Sequence, residues 1–194
     1  AKRMSEYHFD AIIAPDFEGD ALDVLKKRNV LILMKTGKLN HDKTKHLDIV
    51  NVKGGLLIQE HDSFPLKDVK VVTKVKPTSK EMDSMLFAWK VVKHVKSNAI
   101  VLVKCKRTIG IGMGQTNRVD SVRIAIKRAG DDAKGSVLAS DGFFPFRDSI
   151  DEAAKAGLVA IIQPGGSIKD KEVIDAANEK GIAMVFTGMR AFRH

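Results

Sequence analysis

Ser140-Asp141-Gly142-Phe143-Phe144-Pro145-Phe146-Arg147-Asp148 and, further on, Ile161-Ile162-Gln163-Pro164-Gly165-Gly166-Ser167 decide the fold class of this chain. Each is an apolar, strand-like run that breaks into a Gly/Pro turn with polar residues at its tip and then enters a helix-like segment. Strands are expected at Ser136–Ala139, Val159–Gln163 and Ala183–Phe186, with helices at Ser149–Ala156 and Lys169–Lys180. From Ser136 onward the pattern is therefore β-loop-α-β-loop-α-β, a parallel unit. Gly157 and Gly181 each follow a helix and precede a strand, the C-cap position that favours a residue without Cβ. Ligands of open α/β sheets bind at such strand ends, where backbone N–H groups and helix N-termini converge. Arg190-Ala191-Phe192-Arg193-His194 follows the last strand, and this segment is expected to be docked, where most chain ends fray.

Outward from this unit, strands are expected at Ala11–Ala14, Val30–Met34, Leu56–Gln59, Val69–Val75, Ala99–Lys104 and Arg107–Ile111. Helices are expected at Gly19–Arg28, Ser79–Val95 and Arg118–Ala129. The alternation makes the protein α/β. Thr78-Ser79-Lys80-Glu81 has capping-box spacing. Met82, Met85, Leu86 and Trp89 then share one helix face, which is assigned to core packing and to no chemistry. Lys35–Asp48 reads as a surface loop. Its His41 and His46 are given no metal role, because no carboxylate or thiolate stands at ligand spacing.

The 194 residues are 44% hydrophobic and 29% charged, ordinary for a globular chain able to bury a core. No apolar run approaches the roughly 20 residues that span a bilayer, and Lys2-Arg3-Met4-Ser5-Glu6-Tyr7 is not a cleavable signal. The single cysteine, Cys105, excludes an intrachain disulfide and a multi-thiolate zinc site, and a reducing cytoplasm is the expected compartment. The net charge of +9 reads as a solvated basic surface or as a surface for an anionic partner. With no zinc-finger spacing, no RNP-like run and only 6% aromatic residues, no nucleic-acid partner is expected.

Three constellations carry chemistry. Gly110-Ile111-Gly112-Met113-Gly114 is not a dinucleotide fingerprint, since Gln115 stands where a third glycine is required, and a Walker lysine is absent. It is either a strand end that lets the backbone approach a ligand or a tight turn. Arg118 opens the next helix against the usual dipole preference, which favours an anion facing it. Phe143-Phe144-Pro145-Phe146 places three rings at a loop, either as a plug closing the sheet end or as a stacking surface for flat heterocycles, with Asp148 fixing a polar edge. Asn98 reads as a buried amide that satisfies backbone groups.

Lys96-Ser97-Asn98-Ala99-Ile100, Gly110 to Arg118, Phe143 to Asp148, Pro164 to Ser167 and Arg190 to His194, taken in order, resemble AICAR transformylase. That is the formyl-transferring half of a bifunctional purine-biosynthesis enzyme whose other half is IMP cyclohydrolase. The likeness is dense from Val75 to His194, recurs at Asp10-Ala11-Ile12-Ile13-Ala14-Pro15, and is thin between Met34 and Asp68. It implies a cytidine-deaminase-like mixed sheet flanked by helices, a homodimer with sites between subunits, and formyl transfer from 10-formyltetrahydrofolate to AICAR without a metal. It implies substrate contacts for Asp10, Arg118, Phe143 and Arg190. Folate contacts follow for Val119, Pro145, Phe146, Asp148 and Ser167. Asn98 becomes the amide that steadies charge on the formyl oxygen, and His194 a residue beside the family's catalytic lysine.

The family's Lys-His pair belongs upstream of the region matching Asp10, so Lys93-His94 does not match it. Accordingly the cyclohydrolase domain and the first transformylase lobe are expected to be absent. Residues 1–194 are expected to be the transformylase C-terminal region, with a small lobe over 1–75 and a main lobe over 76–194. Full activity is expected to need a missing segment or a partner chain carrying the Lys-His lobe. Lys104-Cys105-Lys106-Arg107 departs from the family's Asp-Gly turn, far from the chemistry. Three alternatives stand beside this reading: a non-catalytic nucleotide- or folate-binding protein, a basic nucleic-acid-binding domain, and a self-sufficient enzyme using a substitute base such as His94.

Overall fold

The computed structural model describes residues 1–38, 47–62, 65, 66 and 68–194. His41 and His46, with most of the loop expected over Lys35–Asp48, lie outside the described residues. The chain divides into two compact units, Ala1–His61 and Asp62–His194. The division comes earlier than the expected boundary after Val75, because Lys70–Val71 pairs with the last strand of the larger unit.

In the smaller unit a 3-10 turn at Met4–Glu6 precedes β1 (Ala11–Ala14), α1 (Gly19–Leu25), β2 (Ile32–Lys35), β3 (Leu47–Val52) and β4 (Gly55–Glu60). β1 and β2 pair in parallel, with Ala11 opposite Ile32. β3 and β4 form a hairpin that turns at Lys53-Gly54, where Gly54 takes φ +90°. β3 was not foreseen: its Asp48 and Asn51 dilute the apolar pattern. Leu25 is the one buried side chain of this unit among the described residues.

The larger unit holds β5 (Lys70–Val71), α2 (Ser79–Val92), β6 (Ile100–Lys104), β7 (Arg107–Gly112), α3 (Arg118–Ala129), β8 (Val137–Ser140), α4 (Asp148–Lys155), β9 (Ala160–Gln163), α5 (Asp170–Glu179) and β10 (Ala183–Phe186). Its sheet runs β5-β10-β9-β8-β6-β7. β8, β9 and β10 are parallel, while β6 is antiparallel to both β7 and β8. The expected parallel unit is therefore present, and the sheet as a whole is mixed.

Strand alternation sorts the core into two layers. Ile100, Leu102, Leu138, Ile161 and Met184 point to the face covered by α3, α4 and α5. Val101, Val103, Ala139, Ile162 and Val185 point to the face covered by α2. A strand buried on both faces must be apolar throughout, which is why these runs do not alternate in sequence. The expected capping box starts α2: the Thr78 hydroxyl accepts the Glu81 N–H at 3.3 Å, and Glu81 accepts the Thr78 N–H at 2.7 Å. The buried face of α2 is Ser84, Met85, Ala88, Trp89 and Val92. Leu86 is off that face, since its position is rotated from the line through Met85, Trp89 and Val92.

Both foreseen glycine stops close Schellman turns. Leu158 N–H reaches Ala153 at 3.0 Å and Gly157 N–H reaches Ala154 at 2.9 Å; Ile182 and Gly181 repeat the pattern on Ala177 and Asn178 at 2.9 and 3.3 Å. Each glycine thereby turns a helix back into the next parallel strand, with φ +76° and +68°.

Candidate functional site

The strand ends of β6 and β8 meet at a buried cluster of polar side chains. Arg118, the first residue of α3, folds back into the protein and is only 8% exposed, with Asp141 beneath it at 0%. Its Nη1 donates to an Asp141 carboxylate oxygen and, at 2.9 Å, to the Ser140 hydroxyl. Its Nη2 donates to Asn98 Oδ1 at 2.8 Å. The anion expected opposite Arg118 is thus supplied from within the chain. A buried charge pair of this kind persists only with further hydrogen bonds around it, and Ser140 and Asn98 supply them to the guanidinium and Ser97 to the carboxylate.

Asn98 sits in the loop entering β6, where the Ser97–Asn98 peptide is cis. Its Nδ2 donates to the carbonyls of Gln115 and Thr116 at 2.9 and 3.0 Å. Both amide hydrogens are occupied, as in the satisfied-asparagine reading, so a formyl oxygen would have to displace one of these bonds. Ser121 in α3 donates to the Asn98 carbonyl at 2.8 Å and ties the loop to the helix.

At Gly110 and Gly112 the glycine-dense strand has a purpose that neither expectation named. A Cβ on Gly110 would run into the Ala125 carbonyl, and one on Gly112 into the Ser121 carbonyl. These two glycines let α3 lie directly on β7, which places Arg118 beside β8. Only Gly114, at φ +66°, serves a turn.

A second cluster flanks the first across Gly142. There a Cβ would meet the Arg118 guanidinium and, at 2.7 Å, the Phe192 ring. Arg190 lies over the Phe143 ring at 5.2 Å and near Phe192 at 5.8 Å, and His194 stands 5.9 Å from Phe192. A guanidinium between two aromatic faces gains from their quadrupoles and still presents donors to solvent. The segment carrying these groups is docked as expected: Ala191 N–H donates to the Asp141 carbonyl at 2.9 Å, and Ala191 is buried.

The aromatic loop divides between its two readings. Phe144 is fully buried and plugs the core beneath α3–α5, whereas Phe143 is half-buried and Phe146 exposed. Lys169, from the loop after β9, covers the Phe146 ring at 4.4 Å and so links the two loops. Ser167 accepts the Lys169 N–H at 3.1 Å, and Asp170 accepts the N–H groups of Gly166 and Ser167 at 2.7 and 3.1 Å. Pro145 is half-buried; Asp148 is exposed, opens α4 and accepts the Ser149 N–H at 2.7 Å. Val119, half-buried, follows Arg118 in α3. Asp10 belongs to the smaller unit, where it stands 3.6 Å from His8. His94 is exposed. Sequence reasoning assigned no role to Asp141 or Ser97; an acidic residue at a strand end was the available signal.

Among the described residues no three His, Cys, Asp or Glu side chains are grouped to hold a metal ion, and no helix is long and apolar enough to cross a membrane.

The fold and the geometry thus define an α/β protein with a buried charge pair and an arginine–aromatic cluster at its strand ends. Its lineage is more specific: residues 1–128 match the model of the AICARFT/IMPCHase bienzyme, and the chain belongs to that family. It is 56% identical to the bifunctional purine biosynthesis protein PurH of Persephonella marina and 50% identical to that of Aquifex aeolicus. Both alignments cover 100% of this chain and 38% of the relative, so the chain spans well under half the length of these proteins. Among solved structures, Acinetobacter baumannii RibD is similar over 55% of this chain and 34% of its own, at 14% identity and a TM-score of 0.39, too loose to carry an argument.

Proposed function

We propose that this chain is the C-terminal transformylase portion of a bifunctional purine-biosynthesis enzyme, binding AICAR and 10-formyltetrahydrofolate for formyl transfer. The observation that carries the reading is Arg190 stacked on Phe143, adjoining the Arg118–Asn98 pair across Gly142, in a member of this family. A flat imidazole suits the face of Phe143, and the nucleotide's phosphate suits the exposed arginine. The loops bearing Pro145, Phe146 and Ser167, with Val119 of α3 and Asp148 at the start of α4, provide an apolar and hydrogen-bonding border for a pterin. Asn98 holds Arg118 in place and offers its amide to the formyl oxygen by exchanging a carbonyl partner.

No general base is offered by these residues, so turnover calls for a further segment or a partner chain. A cytidine-deaminase-like sheet, assembly as a homodimer and a cytoplasmic location belong to the same proposal. The mixed order of the larger sheet, with β6 antiparallel to its neighbours, supports the first of these. The family description names two activities, and this favours a second reading, a portion of the IMP cyclohydrolase half.

The test is made on the 194-residue chain: calorimetric titration with AICAR, release of tetrahydrofolate from 10-formyltetrahydrofolate, and conversion of formyl-AICAR to IMP. AICAR binding that is lost in Arg190→Ala supports the transformylase reading, with or without turnover. IMP formation without formyl transfer replaces it by the cyclohydrolase reading.

A further inference from the structure

We propose that Asp141 and Ser97 are positioning residues. Together they clamp the segment after β10 onto the loop entering β6 and so fix where Arg190, Phe192 and His194 stand. The inference rests on the ligand reading above but makes a separate claim about how the site is held.

All four polar positions of Asp141 are engaged, and they lead to three segments: the loop entering β6, α3 and the stretch after β10. Its N–H donates to the Ala99 carbonyl at 3.2 Å, on the approach to β6, and its carbonyl accepts from Ala191 at 2.9 Å. One carboxylate oxygen takes Arg118 of α3, and the other accepts the Ser97 hydroxyl at 2.5 Å. Ser97 then grips the final segment twice. Its N–H donates to the Arg193 carbonyl at 2.8 Å, and its Oγ accepts the Arg193 N–H at 3.0 Å.

The Ser97 oxygen therefore donates to Asp141 and accepts from Arg193 at once. Of the small side chains only a hydroxyl does both. Between the Asp141 grip on Ala191, which is buried, and the Ser97 grip on Arg193 lies Phe192, whose ring closes on Gly142. Releasing the Arg193 grip frees the residues that bracket Phe143, although none of them touches Ser97 through its own side chain. Asp141 is thus, among the described residues, the carboxylate that couples the Arg118–Asn98 pair to the segment carrying the Arg190–Phe143 stack.

The deciding comparison is Ser97→Thr against Ser97→Val in the 194-residue chain, two side chains of nearly equal shape that differ in the hydroxyl. Hydrogen exchange of the Ala191 and Arg193 amides is read by mass spectrometry, alongside AICAR affinity and the thermal midpoint. Loss of the hydroxyl in Ser97→Val is expected to speed exchange at Arg193 by roughly tenfold and to weaken AICAR by a similar factor. Ser97→Thr should match the parent, and Ser97→Val should melt a few degrees below it, because a buried carboxylate oxygen loses its donor. Equal exchange in the Thr and Val variants overturns the clamp. Faster exchange in Ser97→Val with unchanged AICAR affinity overturns its role in the site. Asp141→Asn is the second variant and should loosen the same amides; where it fails to fold, the Ser97 pair still decides. A parent chain that binds no AICAR sinks the ligand reading alone, and exchange still judges the clamp.

Discussion

The two units of this chain spend similar apolar residues to different effect. In the larger unit β8 and β9 are buried at every position, and β6 at every position except Lys104. Helices lie on both faces of that sheet. In the smaller unit Ile49, Val50, Leu56, Leu57 and Ile58 of the β3–β4 hairpin are all more than half exposed. A hairpin shows apolar side chains on both faces when nothing covers either, and two-stranded pieces are marginal by themselves. The contrast shows that apolar content does not make a core; layers do. It also explains why every chemically suggestive cluster, Asp10 apart, is held by the layered unit. Buried charge pairs and stacked rings need neighbours that do not move.

Substitutions can break this comparison. Trp89→Ala empties the centre of the α2 layer and should cost about 3–5 kcal/mol in urea unfolding followed by far-UV circular dichroism. Asp141→Ala leaves the Arg118 guanidinium buried without its carboxylate and should cost about 3 kcal/mol, with Arg118→Ala alike. Gly112→Ala pushes α3 off β7 at the Ser121 carbonyl and should cost about 2 kcal/mol, with weaker AICAR binding as Arg118 shifts. Ile58→Thr in the exposed hairpin should change stability by no more than about 0.5 kcal/mol. A loss there as large as that of Trp89→Ala would mean the hairpin has a core of its own.

The smallest effect concerns acid. Arg147, at the start of α4, hydrogen-bonds Asp151 at 2.9 Å and Glu179 of α5 at 3.0 Å. The Asp151 carboxyl is held below its ordinary value chiefly by Arg147, and that of Glu179 by Lys180 and then Arg147. Carboxyls lowered by folding contribute stability above their unfolded values near about 4, and lose it as pH falls through the folded values. Arg147→Ala should therefore flatten the stability curve below about pH 4 and change the thermal midpoint at pH 7 by only about a degree, because the pair is exposed.

Legibility followed the range of the interaction. Thr78 with Glu81, and Gly157 and Gly181 with the turns before them, act within a few residues, and their sequence signals were sufficient. Gly110 and Gly112 were misread because their reason is a helix that arrives only after Arg118. Arg118 announced an anion through its place at a helix start, but which anion depended on a strand pairing that brings Asp141 beneath it. Asp141 and Ser97 gave no local sign of their joint work, since their partners lie on β6, α3 and the segment after β10. Leu86 was placed on the α2 core face because periodicity gives a stripe to within a residue, and the sheet selects which residue.

By itself the sequence determined the alternation of strands and helices, the parallel β8–β9–β10 unit, the caps that end its helices and the loops that carry its aromatic and basic residues. These are local matters of period, backbone freedom and side-chain reach. The tertiary structure decided which side of α2 is inside, why β7 is built from glycines, and that Arg118 meets a carboxylate of its own chain. Those choices belong to groups far apart in sequence, and only the packing of α3 on β7 and of the final segment on Ser97 brings them within hydrogen-bond reach.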